Sequence, residues 1–98
     1  FLEEVNEPAY KIQRMLVQLT QASCFSAIKG LLLGDFHHNE VSQQVLIRQV
    51  LAEFARAQDF PVWQTKAIGH GRMNYALPLG LNTQLFFDPA ALSLTLIL

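Results

Sequence analysis

His70 stands between Gly69 and Gly71, directly after a strand-like run, in the stretch Gly69-His70-Gly71-Arg72-Met73-Asn74-Tyr75-Ala76-Leu77-Pro78-Leu79-Gly80. An imidazole is the side chain best suited to moving a proton near neutral pH, provided one ring nitrogen stays open. Flanking glycines permit positive φ angles and leave room beside the ring, while Pro78 and Gly80 punctuate the return into the next strand. The natural complement is a carboxylate that accepts a hydrogen bond from one ring nitrogen. It fixes the tautomer and stabilises the imidazolium, so that the other nitrogen can take a proton from a nucleophile. Glu3, in the opening strand-like run Phe1-Leu2-Glu3-Glu4-Val5, is of the required type; Glu4 falls on the opposite face and reads as an exposed acid.

The nucleophile is the missing part. Ser23, Ser26, Ser42 and Ser93 fall near helix ends or in the terminal hairpin, and none sits in a G-x-S-x-G elbow. Cys24, beside Phe25, reads as a small buried hydrophobe. His37, His38 and Glu40 raise the question of a metal, but adjacent side chains point apart and no H-E-x-x-H or paired-cysteine spacing is present; a solvated loop and no metal is the expectation. Asp35 either lines a substrate crevice or begins the turn into that loop. Asn74 either braces the histidine loop through its amide or is an ordinary turn residue.

Alternating strand and helix patterns must position these groups. Phe1 to Val5 reads as a strand, with Phe1, Glu3 and Val5 on one face. Asn6 or Glu7 is expected to cap the next helix, Pro8 to sit in its first turn, and Ile12, Leu16, Leu19 and Ala22 or Ser23 to form its apolar stripe. Gly30-Leu31-Leu32-Leu33-Gly34 has the continuous apolarity of a strand covered on both faces. Ile47, Val50, Leu51, Phe54 and Ala55 define a second helix, and Pro61 to Thr65 the next strand. Thr83 to Phe87 and Leu92 to Leu98 read as antiparallel strands around the turn Asp88-Pro89-Ala90-Ala91, one face of Leu92, Leu94, Leu96 and Leu98 being core. The expected fold is thus a small α/β domain of mixed strands with two main helices. In such folds, functional residues gather beyond the carboxyl ends of parallel strands, where Glu3, Asp35 and His70 fall.

Composition suggests a piece of something larger. The 98 residues are 51% hydrophobic and only 15% charged, against about 25% charged in ordinary soluble domains. Apolar surface is therefore expected to meet a partner or a missing domain. The absence of an initiator methionine and an opening inside a strand support an excised or processed segment. A net charge of −1 provides no basic footprint for nucleic acid. No apolar run reaches the length of a membrane span, and one cysteine precludes an internal disulfide; the cytoplasm is the expected compartment.

The segments "FLEEVNEPAYKIQRML", "GLLLGDF" and "GHGRMNYALPLG" together resemble the C-terminal domain of the LD-carboxypeptidase family of serine peptidases, which also contains the microcin C immunity proteins. The resemblance covers nearly the whole chain. It implies a swivelling β/β/α domain that supplies the glutamate and histidine of a Ser-Glu-His triad, here Glu3 and His70, with the serine in an N-terminal domain. It further implies that no cofactor is used, that the full-length protein is a homodimer, and that the reaction removes a terminal D-amino acid from an L-centre in murein tetrapeptides. Tyr10, Lys11 and Arg14 match the family pattern, whereas Gln13 stands where the family usually has Asp. Hydrolysis of a microcin-type peptide nucleotide and a non-catalytic docking role are the competing readings.

Overall fold

A run of three leucines is too apolar to leave either face in water, and in the computed structural model, which describes residues 1–91 and 93–97, it becomes the central strand β1 (Leu31–Asp35). Chain order is α1 (Ala9–Gln21), β1, α2 (Val41–Arg56), β2 (Val62–Gly69), β3 (Gln84–Asp88) and β4 (Ser93–Ile97). β1 pairs in parallel with β2, and β3 pairs antiparallel with β4, so the strands are mixed as anticipated. Leu31, Leu32 and Leu33 are all buried; each contributes roughly 1.5–3 kcal/mol relative to an exposed side chain.

Both helices cover this layer through apolar stripes at helical spacing. Ala9, Ile12 and Leu16 of α1 and Ile47 and Leu51 of α2 join Leu31, Leu33 and Phe36 in one core, with Val50 and Phe54 packed against it. The stripe of α1 does not continue to Ala22 or Ser23. Ser23 takes a left-handed φ of 59°, the Ala22 and Cys24 amides close back onto Gln18 and Leu19, and the helix ends. Phe25 then turns inward, its ring 5.4 Å from that of Phe54 and 6.1 Å from that of Phe60. Cys24 is exposed rather than buried, because its aromatic neighbour occupies the inward position.

Three local expectations are corrected. Neither Asn6 nor Glu7 caps α1: Pro8 is the capping residue and has no side chain able to accept a hydrogen bond. The Ala9 amide instead donates to Gln43 Oε1 of α2 at 3.0 Å, so the cap is tertiary; Glu7 pairs with Lys11 at 3.6 Å. The opening segment is not a continuous strand. It touches β1 and its extension through two parallel bridges, Leu2 to Leu33 and Val5 to His37, because Asn6 adopts a φ of 54° and the Val5 amide turns to Glu4 Oε1. β2 runs past Thr65 to Gly69.

The hairpin conforms more closely. Its register pairs Gln84 with Ile97 and Asp88 with Ser93, and Asp88 Oδ1 accepts the Ala90 amide at 2.9 Å across the turn. Leu92 and Leu98 lie outside the described residues, as do the side chains of Leu94 and Leu96 on which the expected core face depends.

Candidate active site

β1 and β2 run in the same direction, so both carboxyl ends open on one edge; Asp35 and Gly69 are partners in register there. Directly beyond Gly69 comes His70. Gly69 has a φ of 133° and is buried, a backbone region that side chains with a Cβ rarely enter. Gly71 does not share the positive φ. Its role is spatial, since a Cβ there would run into the carboxylate of Asp35. The loop is braced from both sides: the Gly69 amide donates to Asn74 Oδ1 at 3.2 Å, and the Tyr75 amide donates to the Ala67 carbonyl at 2.8 Å.

Glu3 arrives from the other side. The Leu2 amide donates to the Leu32 carbonyl at 3.0 Å and the Leu2 carbonyl accepts the Gly34 amide at 2.8 Å, which clamps the backbone one residue before Glu3. Gly34 is needed for the approach. A Cβ on it would lie 2.7 Å from the Ile68 carbonyl oxygen and 3.0 Å from Glu3 Cβ.

These constraints bring Glu3 and His70 together across 67 positions of sequence, with Nδ1 and Oε2 separated by 3.1 Å. The glutamate side chain is 24% exposed and the histidine 59%. In the neutral tautomer that this contact selects, Nδ1–H donates to the carboxylate and Nε2 keeps its lone pair. Among the described residues Nε2 has no hydrogen-bond partner, and the exposed ring presents it outward. Such a pair can accept a proton from a nucleophile and return it to a leaving group.

The four serines stand elsewhere in local roles. Ser23 lies in the left-handed turn after α1, Ser26 Oγ donates to the Ser23 carbonyl at 2.9 Å, Ser42 lies in the first turn of α2, and Ser93 in β4. His37 and His38 serve their own loop: His37 Nε2 lies 3.3 Å from Asn39 Oδ1, and His38 Nδ1 accepts the Glu40 amide at 3.0 Å. Among the described residues, no three His, Cys, Asp or Glu side chains converge to hold a metal ion.

A cleft of about 350 Å³ reaches Gly71, the residue after His70, although neither Glu3 nor His70 lines it. Asp35 and Gly71 line it, and so do Arg48, Lys66 and Arg72. Asp35, which the sequence left between a crevice residue and the start of a turn, lines this cleft at the end of β1. The three cations were not legible, because α2, β2 and the histidine loop contribute one each; the signal available in the sequence was Arg72, two positions past His70. Tyr10, Lys11, Gln13 and Arg14 are exposed on α1, outside this cleft. Among the described residues, no helix is long and apolar enough to cross a membrane.

The chain belongs to a peptidase family: the LD-carboxypeptidase C-terminal domain family matches residues 1–85. Among curated relatives, it is 32% identical over 82 residues to the murein tetrapeptide carboxypeptidase of Pseudomonas aeruginosa, covering 81% of this chain and 26% of that protein. It is 30% identical over 83 residues to a probable murein peptide carboxypeptidase of Bacillus subtilis, covering 82% of this chain and 26% of the relative. A putative carboxypeptidase of Synechocystis is 30% identical over 95 residues, covering 94% of this chain and 32% of the relative. The chain thus spans between a quarter and a third of the length of these relatives. No solved structure matches it.

Proposed function

We propose that this chain is the C-terminal domain of a cytoplasmic serine-type LD-carboxypeptidase and contributes the general-base half of its catalytic site. The observation that carries the reading is the 3.1 Å contact between His70 Nδ1 and Glu3 Oε2, which leaves Nε2 open at the carboxyl edge of the parallel strands. Family membership and the names of the Pseudomonas and Bacillus relatives support a murein peptide as substrate.

In this reading a serine hydroxyl from an N-terminal domain attacks the carbonyl carbon between an L-centre and a terminal D-amino acid. Nε2 of His70 takes the hydroxyl proton as the C–O bond forms, then gives it to the amine as the C–N bond breaks. Water, deprotonated by the same nitrogen, hydrolyses the acyl-enzyme and restores the serine. Glu3 holds the ring and stabilises the imidazolium in both halves. Asp35 and Gly71 border the substrate, and Asn74 supports the loop from behind.

The test exploits the divided site. Hydrolysis of an L-centre to D-alanine amide is assayed with this chain, with the separately expressed N-terminal domain, and with both. Turnover is expected only in the mixture or in the full-length protein. Serine-dependent turnover by this chain alone would overturn the divided site, and inactivity of the full-length protein with an intact serine would leave a docking role.

A further inference from the structure

Glu3 reaches His70 from a segment held at both ends. Upstream, the Leu2 amide donates to the Leu32 carbonyl and the Leu2 carbonyl accepts the Gly34 amide. Downstream, Asn6 takes a left-handed φ of 54°, a region closed to most side chains but open to Asn, whose short amide bonds locally. In that conformation its backbone amide donates to the His37 carbonyl at 2.7 Å, and its side-chain Oδ1 accepts the Asn39 amide at 3.1 Å, across 33 positions of sequence. The loop that receives Asn6 is itself fixed to α2, because Gln44 Nε2 donates to the His38 carbonyl at 2.6 Å. Gln43, its neighbour in α2, caps the Ala9 amide. The Val5 amide adds nothing to this attachment, being turned to Glu4 Oε1. Fixing both ends of so short a span as Glu3-Glu4-Val5 removes backbone freedom that a span fixed at one end would keep.

We infer that Asn6 is a positioning residue for the Glu3–His70 pair. It acts through the backbone: the bond from the Asn39 amide to Asn6 Oδ1 closes the span onto the extension of β1, and so keeps Glu3 Oε2 at 3.1 Å from His70 Nδ1. The inference rests on the peptidase reading above and adds to it the residue that sets how often the pair is formed. The Asn6–Asn39 bond is exposed. Its net worth is therefore modest, and its loss changes a population rather than the fold. The position makes two demands, a left-handed φ and a side-chain acceptor. Gly meets the first without the second, whereas Asn and Asp meet both.

The test reads the tautomer of neutral His70 in the 98-residue chain from the NMR shifts of its ring nitrogens, because the contact with Glu3 selects Nδ1–H over Nε2–H. Glu3→Ala sets the ratio of the two forms without the contact. Asn6→Gly takes the same φ without strain, and is expected to lower the ratio of Nδ1–H to Nε2–H toward that value, by about three- to tenfold. Asn6→Asp, which restores the acceptor, should keep it near the parent's. Ser26→Ala removes another exposed hydrogen bond, in the turn after α1, and should leave the ratio unchanged, which separates positioning from a general loss of stability. In the full-length enzyme, Asn6→Gly should lower kcat on a murein tetrapeptide by about three- to tenfold with KM held within about twofold. The same tautomer ratio in Asn6→Gly as in the parent overturns the inference, as does an Asn6→Asp variant no better than Asn6→Gly. A ratio that responds as expected in a protein that cleaves no murein peptide keeps the positioning role and loses the peptidase reading. Turnover unchanged by Asn6→Gly loses the positioning role alone.

Discussion

The β1–β2 layer and the β3–β4 hairpin both carry many apolar residues, and their described side chains are buried to different extents. Leu33 of β1 is 2% exposed, whereas Phe86 of β3 is 53% exposed. Each hairpin strand satisfies backbone groups through its partner, and its turn is closed locally by Asp88. The parallel pair cannot be local. It needs α2 as its crossover, both helices as cover and the opening segment as a third neighbour. The contact between Glu3 and His70, on which the proposed function rests, falls where this long-range dependence is greatest, since the two meet only if the opening segment, β1 and β2 are all in place.

The largest expected effect breaks the first region chemically without unfolding it. Glu3→Gln in the full-length enzyme should lose on the order of 10⁴ in turnover, as loss of the orienting acid does in serine proteases. Glu4→Gln should be nearly silent, its carboxylate being occupied with the Val5 amide. Steady-state rates on a murein tetrapeptide check both, and equal turnover for Glu3→Gln and the parent would remove Glu3 from the site. Next comes packing: Leu33→Ala empties the most buried position of β1 and should cost about 2–5 kcal/mol in denaturant unfolding. A cost below 1 kcal/mol would mean that the layer is not the structural base of the site. The smallest effect sharpens the contrast from the other side. Phe86→Ser, on the exposed face of the hairpin, should change stability by no more than about 0.5 kcal/mol in the same measurement.

The same division explains what could be read from the sequence. α2 and β1 were legible because their patterns, a helical stripe and a leucine run, answer to burial alone. The second half of β2 was not. Lys66 and Ala67 break the look of a strand and lie where β2 bows out of its ladder with β1, between the Gln64 and Gly69 pairings, the Ala67 carbonyl accepting the Tyr75 amide instead. The opening segment misled in the reverse sense: its alternation suggests a strand, while Asn6 and the Glu4 side chain reduce it to two bridges. The cap on α1 was invisible because Gln43 comes from another helix. At the site, His70 between glycines announced itself, and Glu3 was suggested by its residue type and by resemblance. The cationic lining was hidden, since charges on three elements converge only after folding.

Between the pairs Leu33 to Gln64 and Asp35 to Gly69, β1 advances two positions while β2 advances five, a surplus of three residues bowed out of the ladder. That bow works as a length gauge for the imidazole. Successive residues of an extended chain alternate faces, so removing one residue from the bow would send His70 to the opposite side of the layer. Exchanging one bowed residue for another leaves the count intact. In Thr65, Lys66, Ala67 and Ile68 the molecule is thus free to vary its spelling but not its metre, and that freedom lets Lys66 serve the neighbouring cleft without disturbing the ring it helps to carry.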